Sequence, residues 1–297
     1  MTGFLKGTAT AMITPFRADG GVDFGSFGAM IEYQIAGGTD MLVILGTTGE
    51  PATMTEEEKT AVMEFAVKKA KGRIKLVFGC GSNCTAHAVE AAKKAEKIGA
   101  DGLLAVTPYY NKCTQNGLIA YYSSICEAVN LPVIAYCVPS RTGVNILPAT
   151  MAKIAELPNM AGLKDASGNM AQTMETLRLI RGKCDLYSGE DALNLPILAV
   201  GGSGVISVLS NLVPADVKKL YTLVQEGNRA EAFALADKLL PLAQACFIEV
   251  NPIPAKAAMN LLGFSAGLPR APLSEIEPAN ASRLREAMIA YGLEVKA

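Results

Sequence analysis

The fold is decided by residues 133–165, VIAYCVPSRTGVNILPATMAKIAELPNMAGLKD. This stretch begins with a short apolar run, Val133–Cys137, and ends with another, Ala161–Lys164. Between them lies Pro148–Glu156, which predicts a helix that begins at its proline. A short strand, a helix and a second short strand are typical of a βαβ unit, in which the two strands run parallel.

The same alternation continues in both directions from this stretch, with a repeat of about 25 to 30 residues. Eight predicted strands, each followed by a predicted helix, indicate an α/β fold, a (β/α)8 TIM barrel over residues 1–226. The predicted strands are Thr8–Ile13, Met41–Leu45, Lys75–Phe78, Gly102–Val106, Val133–Cys137, Ala161–Lys164, Asp185–Ser188 and Gly204–Ser207. The predicted helices of the barrel are Phe24–Gly37, Thr55–Lys71, Thr85–Gly99, Gly117–Val129, Pro148–Glu156, Met170–Arg181, Ala192–Ala199 and Pro214–Glu226.

The last part of the chain has no further strand pattern. Its sequence predicts helices over Arg229–Phe247, Pro252–Leu262 and Ala279–Ala290. We expect Asn251 to cap the helix that begins at Pro252. Residues 227–297 are therefore predicted to form a C-terminal helical extension of the barrel.

The composition excludes several classes of protein. The 297 residues include 27 Lys plus Arg, 28 Asp plus Glu and 50% hydrophobic residues, so neither disorder nor binding to nucleic acid or an anionic membrane is expected. The seven cysteines are odd in number and scattered, which is typical of reduced thiols. Residues 1–16 show no signal-peptide pattern, and no apolar run approaches the roughly 18 residues of a membrane span. We expect a soluble cytoplasmic protein.

Lys164 is the strongest candidate for a catalytic residue, because the active site of a TIM barrel lies at the carboxyl ends of its strands. Lys164 closes the predicted sixth strand, where burial would lower the pKa of its amine and favour attack on a carbonyl carbon. This placement indicates catalysis through a lysine imine. The structural alternatives are a lysine that extends to solvent, or one that pairs with Asp165.

Hydroxyl groups follow other strands. Thr47 comes after the second strand and Tyr110 after the fourth, and Tyr136 lies near the end of the fifth. Together they could carry the proton transfers that imine chemistry requires. Taken alone, each tyrosine is better explained as a core residue whose hydroxyl finds a carbonyl. The only histidine, His87, falls on a predicted outer helix, so a histidine-based mechanism has little support.

Three further signals are more ambiguous. Arg141 follows a Pro-Ser turn after the fifth strand, where its guanidinium could bind a substrate carboxylate or lie in an ordinary surface loop. Cys80, Cys84 and His87 lack a fourth ligand and the spacing of a zinc site, so we expect no metal. The glycine-rich run 201–204 could bind a phosphate, or could only turn the chain into the eighth strand.

Six motifs combine into a signal that is stronger than any one of them. They are Gly-Thr-Thr-Gly-Glu at 46–50, Thr-Pro-Tyr-Tyr-Asn at 107–111, Val-Pro-Ser-Arg-Thr-Gly at 138–143, Gly-Leu-Lys-Asp-Ala-Ser-Gly-Asn at 162–169, Gly-Val-Ile-Ser-Val at 204–208 and Asn-Pro-Ile-Pro at 251–254. With these motifs in order, the chain resembles the dihydrodipicolinate synthase family over essentially its full length. That family belongs to the pyruvate-dependent class I aldolases.

The resemblance implies a role for each matching residue. Lys164 would form the imine with pyruvate, Tyr136 would move protons at that centre, and Thr47 would relay them. Tyr110 would be contributed across a dimer interface to the neighbouring active site. The residues implied to bind substrate are Thr48, at the pyruvate carboxylate, Gly189 and Ile206, which line the pyruvate pocket, and Arg141, at the carboxylate of the aldehyde.

The resemblance also implies the reaction. Pyruvate would condense with L-aspartate 4-semialdehyde to 4-hydroxy-tetrahydrodipicolinate, in lysine and diaminopimelate biosynthesis. No cofactor is implied, because Lys164 itself serves as the electron sink, and the expected assembly is a homotetramer built as a dimer of dimers.

Two other functions stay open at this point. The first is a pyruvate-dependent lyase that acts on N-acetylneuraminate or a keto-deoxy sugar acid, although Arg141 suits a small carboxylated aldehyde better than a polyol. The second is a catalytically silent homologue that acts as a binding or regulatory oligomer. The joint presence of Lys164, Tyr136, Thr47 and Tyr110 argues against it.

One departure from the family pattern lies next to the predicted site. Cys137 stands where the family commonly shows asparagine. Because Tyr136 and Arg141 are both kept, we expect altered local hydrogen bonding without loss of the chemistry.

A second departure concerns inhibition by lysine, which in sensitive members binds at the dimer interface. Ala52, Asn83 and Tyr109 match positions of that allosteric pocket. The positions where sensitive members tend to carry histidines and a glutamate hold other residues: Glu56, Lys59 and His87. A bound lysine needs a carboxylate for its ammonium group, and His87 cannot replace one, so we expect weak or absent inhibition.

Overall fold

The computed structural model describes residues 3, 4 and 6–296. Within that part of the chain, eight parallel strands close into a barrel in sequence order, which confirms the predicted fold class. Most strand residues are buried, as expected when helices cover a parallel sheet. The strands are β1 (Gly7–Ala11), β2 (Met41–Ile44), β3 (Lys75–Gly79), β4 (Gly102–Val106), β5 (Val133–Cys137), β6 (Met160–Asp165), β7 (Asp185–Ser188) and β8 (Gly204–Ser207).

The helices alternate with the strands and then continue alone to the end of the described chain. Those between or directly after the strands are α1 (Phe24–Ala36), α2 (Glu56–Ala70), α3 (Thr85–Ile98), α4 (Gln115–Ala128), α5 (Pro139–Thr142), α6 (Pro148–Ile154), α7 (Met170–Ile180), α8 (Asn194–Ala199) and α9 (Pro214–Gln225). The C-terminal helices are α10 (Arg229–Ala245), α11 (Ile253–Leu261) and α12 (Pro278–Tyr291).

Local sequence explains where helices begin and end. Thr55 caps α2, because its side chain accepts a hydrogen bond from the amide of Glu58, whose carboxylate accepts one from the Thr55 amide. Gly99 ends α3 with a φ of 109°, a conformation that glycine adopts without strain. One element, the single turn α5, is absent from the prediction because it is too short to show a periodic pattern.

The prediction for Asn251 is wrong. The residue that precedes α11 is Pro252, and no side chain caps the helix. Asn251 is buried, and its Nδ2 donates a hydrogen bond to Thr48 Oγ1 at 2.9 Å. The side chain therefore contacts the turn after β2, where a buried hydroxyl needs a partner, and leaves the helix end uncapped.

The glycine-rich run 201–204 forms a turn. Gly201 has a φ of 105°, and the amides of Gly202 and Ser203 donate to the carbonyl groups of Ile197 and Leu186. Because these amides already have acceptors, the structure favours the turn over a phosphate site.

One irregularity sets the register between β5 and β6. Val133 pairs with Met160, but Ile134 pairs with Gly162, so Ala161 is an extra residue on β6. Farther along, Tyr136 pairs with Lys164. Paired residues of neighbouring strands project to the same face, so the bulge places these two side chains on one face of the sheet.

The chain forms two compact units. Among the described residues, the central unit takes 76–206 and those up to residue 7, and the terminal unit takes 8–75 and 207–296. The predicted boundary between residues 226 and 227 stays a prediction. Among the described residues, no helix has the length and apolar character needed to cross a membrane.

Candidate active site

Lys164 lies in β6 of the central unit, beside the tyrosine that is predicted to act with it. Its Nζ lies 4.2 Å from the centroid of the Tyr136 ring. On the other side, Lys164 pairs with Tyr187 of β7, whose side chain is fully buried. The residue therefore lies between two tyrosines of the neighbouring strands, and it is buried.

Burial lowers the pKa of the Lys164 amine to about 8. The residue is 5% exposed, and desolvation disfavours its charged form. The negative charge of Asp191 opposes this shift, that of Glu190 does so more weakly, and the positive charge of Arg141 adds to it. Near neutral pH this amine is unprotonated far more often than that of an ordinary lysine, as a nucleophile requires.

Both structural alternatives for Lys164 fail. Its burial excludes a side chain that extends to solvent. The carboxylate of Asp165 is engaged elsewhere, because Oδ2 accepts a hydrogen bond from Thr173 Oγ1 at 2.6 Å and Oδ1 accepts one from the Ser167 amide at 2.9 Å.

Gly189 leaves the space that the Lys164 side chain occupies. A Cβ atom at position 189 would lie 2.9 Å from both Cγ and Cε of Lys164, closer than such atoms approach one another. The Gly189 amide donates to the Asp165 carbonyl at 2.8 Å, which fixes the strand end. Ile206, the other residue predicted to line the pocket, is buried in β8.

Two acidic residues near Lys164 were missed in the sequence. Glu190 and Asp191 directly follow Gly189, and both act on the amine of Lys164 through their charge. Burial raises the pKa of Glu190. Both residues follow the carboxyl end of β7. The rule that places barrel active sites at these strand ends identified Lys164 and could have identified them as well.

Arg141 is exposed and lies in α5, immediately after β5. The helix is tied to the loop after β4, because Thr107 Oγ1 donates to Thr142 Oγ1 at 3.0 Å. The charge of Arg141 lowers the pKa of Lys164, so the guanidinium is near enough to act on the amine. An exposed cation in the turn after β5, whose charge acts on the buried amine, suits a substrate that carries a carboxylate.

Cys137 contributes to the structure of the loop that follows α5. Its Sγ lies 3.3 Å from Asn145 Oδ1, to which it donates, and accepts a hydrogen bond from the Ile146 amide at 3.3 Å. Asn145 Nδ2 in turn donates to Gln172 Oε1 at 2.7 Å. Burial raises the pKa of the Cys137 thiol to about 12, so the thiol stays protonated and unreactive.

Thr47 and Thr48 belong to the terminal unit, in the 3-10 turn Thr47–Gly49 that follows β2. Thr48 is 3% exposed, and its hydroxyl accepts the hydrogen bond from Asn251. Thr14 Oγ1 donates to the Gly49 carbonyl at 2.8 Å. The turn is therefore held by partners from two other segments.

Tyr110, in the loop after β4, differs from the other predicted catalytic residues. Its side chain is 90% exposed, and its φ is 69°, a region that a tyrosine adopts only with strain. Tyr109 is exposed as well, and Asn111 Nδ2 donates to the Asn83 carbonyl at 3.0 Å. Ala52, the third predicted allosteric residue, is exposed in the 3-10 turn Pro51–Thr53 of the terminal unit.

The weak metal signal in the sequence gains no support. In the described part of the chain, no group of three or more His, Cys, Asp and Glu side chains is placed to hold a metal ion. Cys80 is buried, with its pKa raised by desolvation to about 12, whereas His87 lies exposed on α3.

The chain is similar to known enzymes along nearly its whole length. Residues 4–290 match the Dihydrodipicolinate synthetase family. The 4-hydroxy-tetrahydrodipicolinate synthase of Caldicellulosiruptor bescii is 47% identical over 291 residues, which cover 98% of each chain.

Solved structures agree with the sequence comparison. The dihydrodipicolinate synthase from Aquifex aeolicus has a TM-score of 0.96 and 42% identity, over 99% of this chain and 100% of that one. A monomeric dihydrodipicolinate synthase variant has a TM-score of 0.96 and 39% identity, over 98% of each chain. The chain therefore belongs to the Dihydrodipicolinate synthetase family.

Proposed function

We propose that this protein condenses pyruvate with L-aspartate 4-semialdehyde to give 4-hydroxy-tetrahydrodipicolinate, through an imine on Lys164. The observation that carries the proposal is the Lys164 amine, buried, with a pKa lowered to about 8 and beside Tyr136. The synthase from C. bescii, which is 47% identical, supports the same reaction. The protein is thus a lyase that works without an organic cofactor.

The first step joins pyruvate to the enzyme. The free amine of Lys164 attacks the keto carbon of pyruvate, and loss of water leaves an imine. The Tyr136 ring lies 4.2 Å from the amine, and its hydroxyl is the group we assign to the proton transfers of this step. Thr47 relays these protons and Thr48 binds the pyruvate carboxylate.

The second step makes the carbon–carbon bond. Loss of a proton from the pyruvate methyl group turns the imine into an enamine, whose carbon attacks the aldehyde, and the aldehyde oxygen takes up a proton. The amino group of the semialdehyde then attacks the imine carbon and displaces the Lys164 amine, which closes the ring. In total, one water is released and the enzyme is regenerated.

The choice of aldehyde depends on Arg141. An exposed guanidinium near the buried amine binds the carboxylate of a small amino-acid aldehyde. A sugar acid would present hydroxyl groups to this region instead. Since the relatives are named as synthases, the comparisons support the condensation and not the alternative lyase reaction.

The assembly that fits Tyr110 is a homotetramer built as a dimer of dimers. A tyrosine that is 90% exposed and held at a φ of 69° makes sense if it enters the active site of a second subunit. Light scattering coupled to size-exclusion chromatography measures the state directly. A fully active monomer would contradict this part of the proposal.

We further propose a cytoplasmic location and weak or absent inhibition by lysine. Glu56 and Lys59 stand at two of the positions that differ from lysine-sensitive members. They form an ion pair, with Lys59 Nζ 2.8 Å from Glu56 Oε1. Activity in millimolar L-lysine tests the regulation, and strong inhibition would contradict it.

The function is tested by trapping and by assay. Borohydride added with pyruvate should reduce the imine and leave a stable adduct, which peptide mass spectrometry should locate on Lys164. A coupled assay with L-aspartate 4-semialdehyde should then show turnover, and N-acetylneuraminate should give none. No adduct in a folded protein would refute the proposal.

A further inference from the structure

A second buried lysine lies outside the residues assigned above. Lys256, in α11, is 0% exposed, and its Nζ lies 2.6 Å from Glu50 Oε1. Glu50 is itself 4% exposed. Buried ion pairs are costly to desolvate and are often replaceable by apolar residues, so fold stability alone gives little reason for this pair.

The pair is enclosed by further partners in the terminal unit. Lys256 Nζ donates to the Leu268 carbonyl at 3.2 Å and lies 3.9 Å from the centroid of the Phe16 ring. The Arg270 guanidinium lies 4.2 Å from the same ring, and the Arg270 amide donates to Glu50 Oε2 at 2.9 Å. One carboxylate oxygen of Glu50 therefore forms an ion pair with Lys256, and the other accepts a hydrogen bond from Arg270.

Glu50 ends the turn that carries Thr47 and Thr48. Its amide donates to the Thr47 carbonyl at 3.2 Å, and its φ of 56° is one that a glutamate adopts only with strain. Strained backbone persists when surrounding contacts determine it, and it is typical of functional sites. Here the fixed carboxylate supplies that constraint.

Two other residues hold the same segment. Arg270 Nη1 donates to the Thr53 carbonyl at 2.8 Å, beyond the turn. Asn251 Nδ2 donates to the Thr48 hydroxyl at 2.9 Å, within the turn. Thus polar groups from the last part of the chain hold the segment 47–53 at several points.

We propose that Glu50 and Lys256 are positioning residues, whose ion pair holds the turn Thr47–Gly49 in the orientation that its threonines need for the reaction. The inference rests on the proposed function, in which Thr47 relays protons and Thr48 binds the pyruvate carboxylate. Such groups must be placed closely, since a shift of about 1 Å can slow a reaction on the order of 10²-fold.

The test replaces the pair by neutral side chains of similar size, in the double variant Glu50→Gln/Lys256→Met. We expect it to remain folded, because no unpaired charge is left buried. Its kcat should fall about tenfold or more, and its KM for pyruvate should rise. The single variant Glu50→Asp, which leaves no buried charge unpaired but shortens the side chain that holds the turn, serves if the double variant fails to fold.

A matched control comes from another ion pair of the same unit. Lys218 Nζ lies 2.6 Å from Asp40 Oδ1, and both side chains are about one-third exposed. The variant Asp40→Asn/Lys218→Met should retain the wild-type kcat and KM, because this pair does not contact the turn.

Hydrogen exchange separates this inference from the proposed function. In the double variant, the amides of Gly49 and Glu50 should exchange faster than in the wild type, whether or not the protein is an enzyme. Unchanged exchange, or a kcat and pyruvate KM within twofold of the wild type, would overturn the inference. A wild-type protein without condensation activity would refute the proposed function instead, and exchange at the turn would then show whether the pair holds it.

Discussion

Two buried lysines of this protein share a pKa but differ in what surrounds the amine. Burial lowers the pKa of both Lys164 and Lys256 to about 8. Lys256 Nζ forms an ion pair with a carboxylate oxygen at 2.6 Å and donates a hydrogen bond to a carbonyl at 3.2 Å. Lys164 has an aromatic ring at 4.2 Å, and the acidic residues near it act only through their charge.

The difference separates a structural lysine from a reactive one. The ion pair with Glu50 and the hydrogen bond to the Leu268 carbonyl favour the charged form of the Lys256 amine, so its lone pair is not offered to a substrate. Within the described part of the chain, the Lys164 amine forms no ion pair of this kind, and desolvation keeps much of it unprotonated. A lowered pKa therefore identifies a nucleophile only together with the contacts of the amine.

The largest expected effect is on chemistry at Lys164. Lys164→Met should lower kcat/KM by about 10³-fold or more and abolish the pyruvate adduct. Lys256→Met, assayed at a temperature where it is folded, should keep the adduct on Lys164. Borohydride trapping with peptide mass spectrometry checks both variants. An adduct on Lys256 in the wild type would show that this lysine is also a nucleophile, against the distinction drawn here.

For stability, we expect the larger effect from the substitution of Lys256 and the smaller one from that of Lys164. Lys256→Met leaves the Glu50 carboxylate buried without its cation, so it should lower the free energy of unfolding by about 3–5 kcal/mol. Lys164→Met removes a desolvated amine that forms no such pair, so it should be neutral or slightly stabilising. Urea denaturation measures the difference, and equal losses would show that the two amines are equally embedded.

Removing the hydroxyl beside Lys164 should have an intermediate effect. Tyr136→Phe keeps the ring that lies 4.2 Å from the amine and deletes only the proton-transfer group. We expect kcat to fall about 10²-fold with the fold intact. Circular dichroism and steady-state kinetics check this, and a kcat near the wild type would assign the proton transfers to another group.

The pH dependence of imine formation tests the lowered pKa of Lys164. Below a pKa of about 8 the unprotonated fraction of Lys164 rises with pH, so imine formation at low pyruvate should accelerate nearly tenfold per pH unit and level off above pH 8. Rapid-mixing measurements of imine formation test this. A rate that keeps rising towards pH 10.5 would mean that burial does not lower the pKa of this amine.

The smallest effect is expected at Cys137. Cys137→Asn restores the side chain that is common in the family and offers polar atoms to Asn145 and the Ile146 amide. The kcat should stay within about twofold of the wild type, as for a change that only exchanges hydrogen-bond partners. A larger loss in the condensation assay would show that the thiol affects Tyr136.

The sequence predicted the fold well because buried parallel strands leave a repeated local pattern. The predicted element boundaries lie within two residues of the observed ones for strands and helices alike. The same rule that located the strand ends led to Lys164 and Arg141. It also covered Glu190, which follows β7, but an acidic residue in a loop carries no distinctive pattern by itself.

What could not be predicted depends on contacts between distant parts of the chain. Glu50 and Lys256 form their ion pair across about 200 residues, and neither sits in a pattern that names its partner. Asn251 looked like a helix cap because a cap is a local feature, whereas its real partner is Thr48. Local signals of this kind predict helices and strands, whereas the packing of distant segments determines which polar groups contact one another.

The bulge at Ala161 lets β6 hold one residue more than the paired segment of β5. If Ala161 instead paired regularly with Ile134, Tyr136 would pair with Leu163, and Lys164 would pair with Cys137 and project to the opposite face. A deletion of Ala161 would remove the bulge and leave Tyr136 paired with Lys164, so the bulge compensates for the extra residue and keeps the amine beside Tyr136. In a homologous chain, a residue inserted before the motif would thus leave the nucleophile beside the tyrosine only where the strand bulges around that residue.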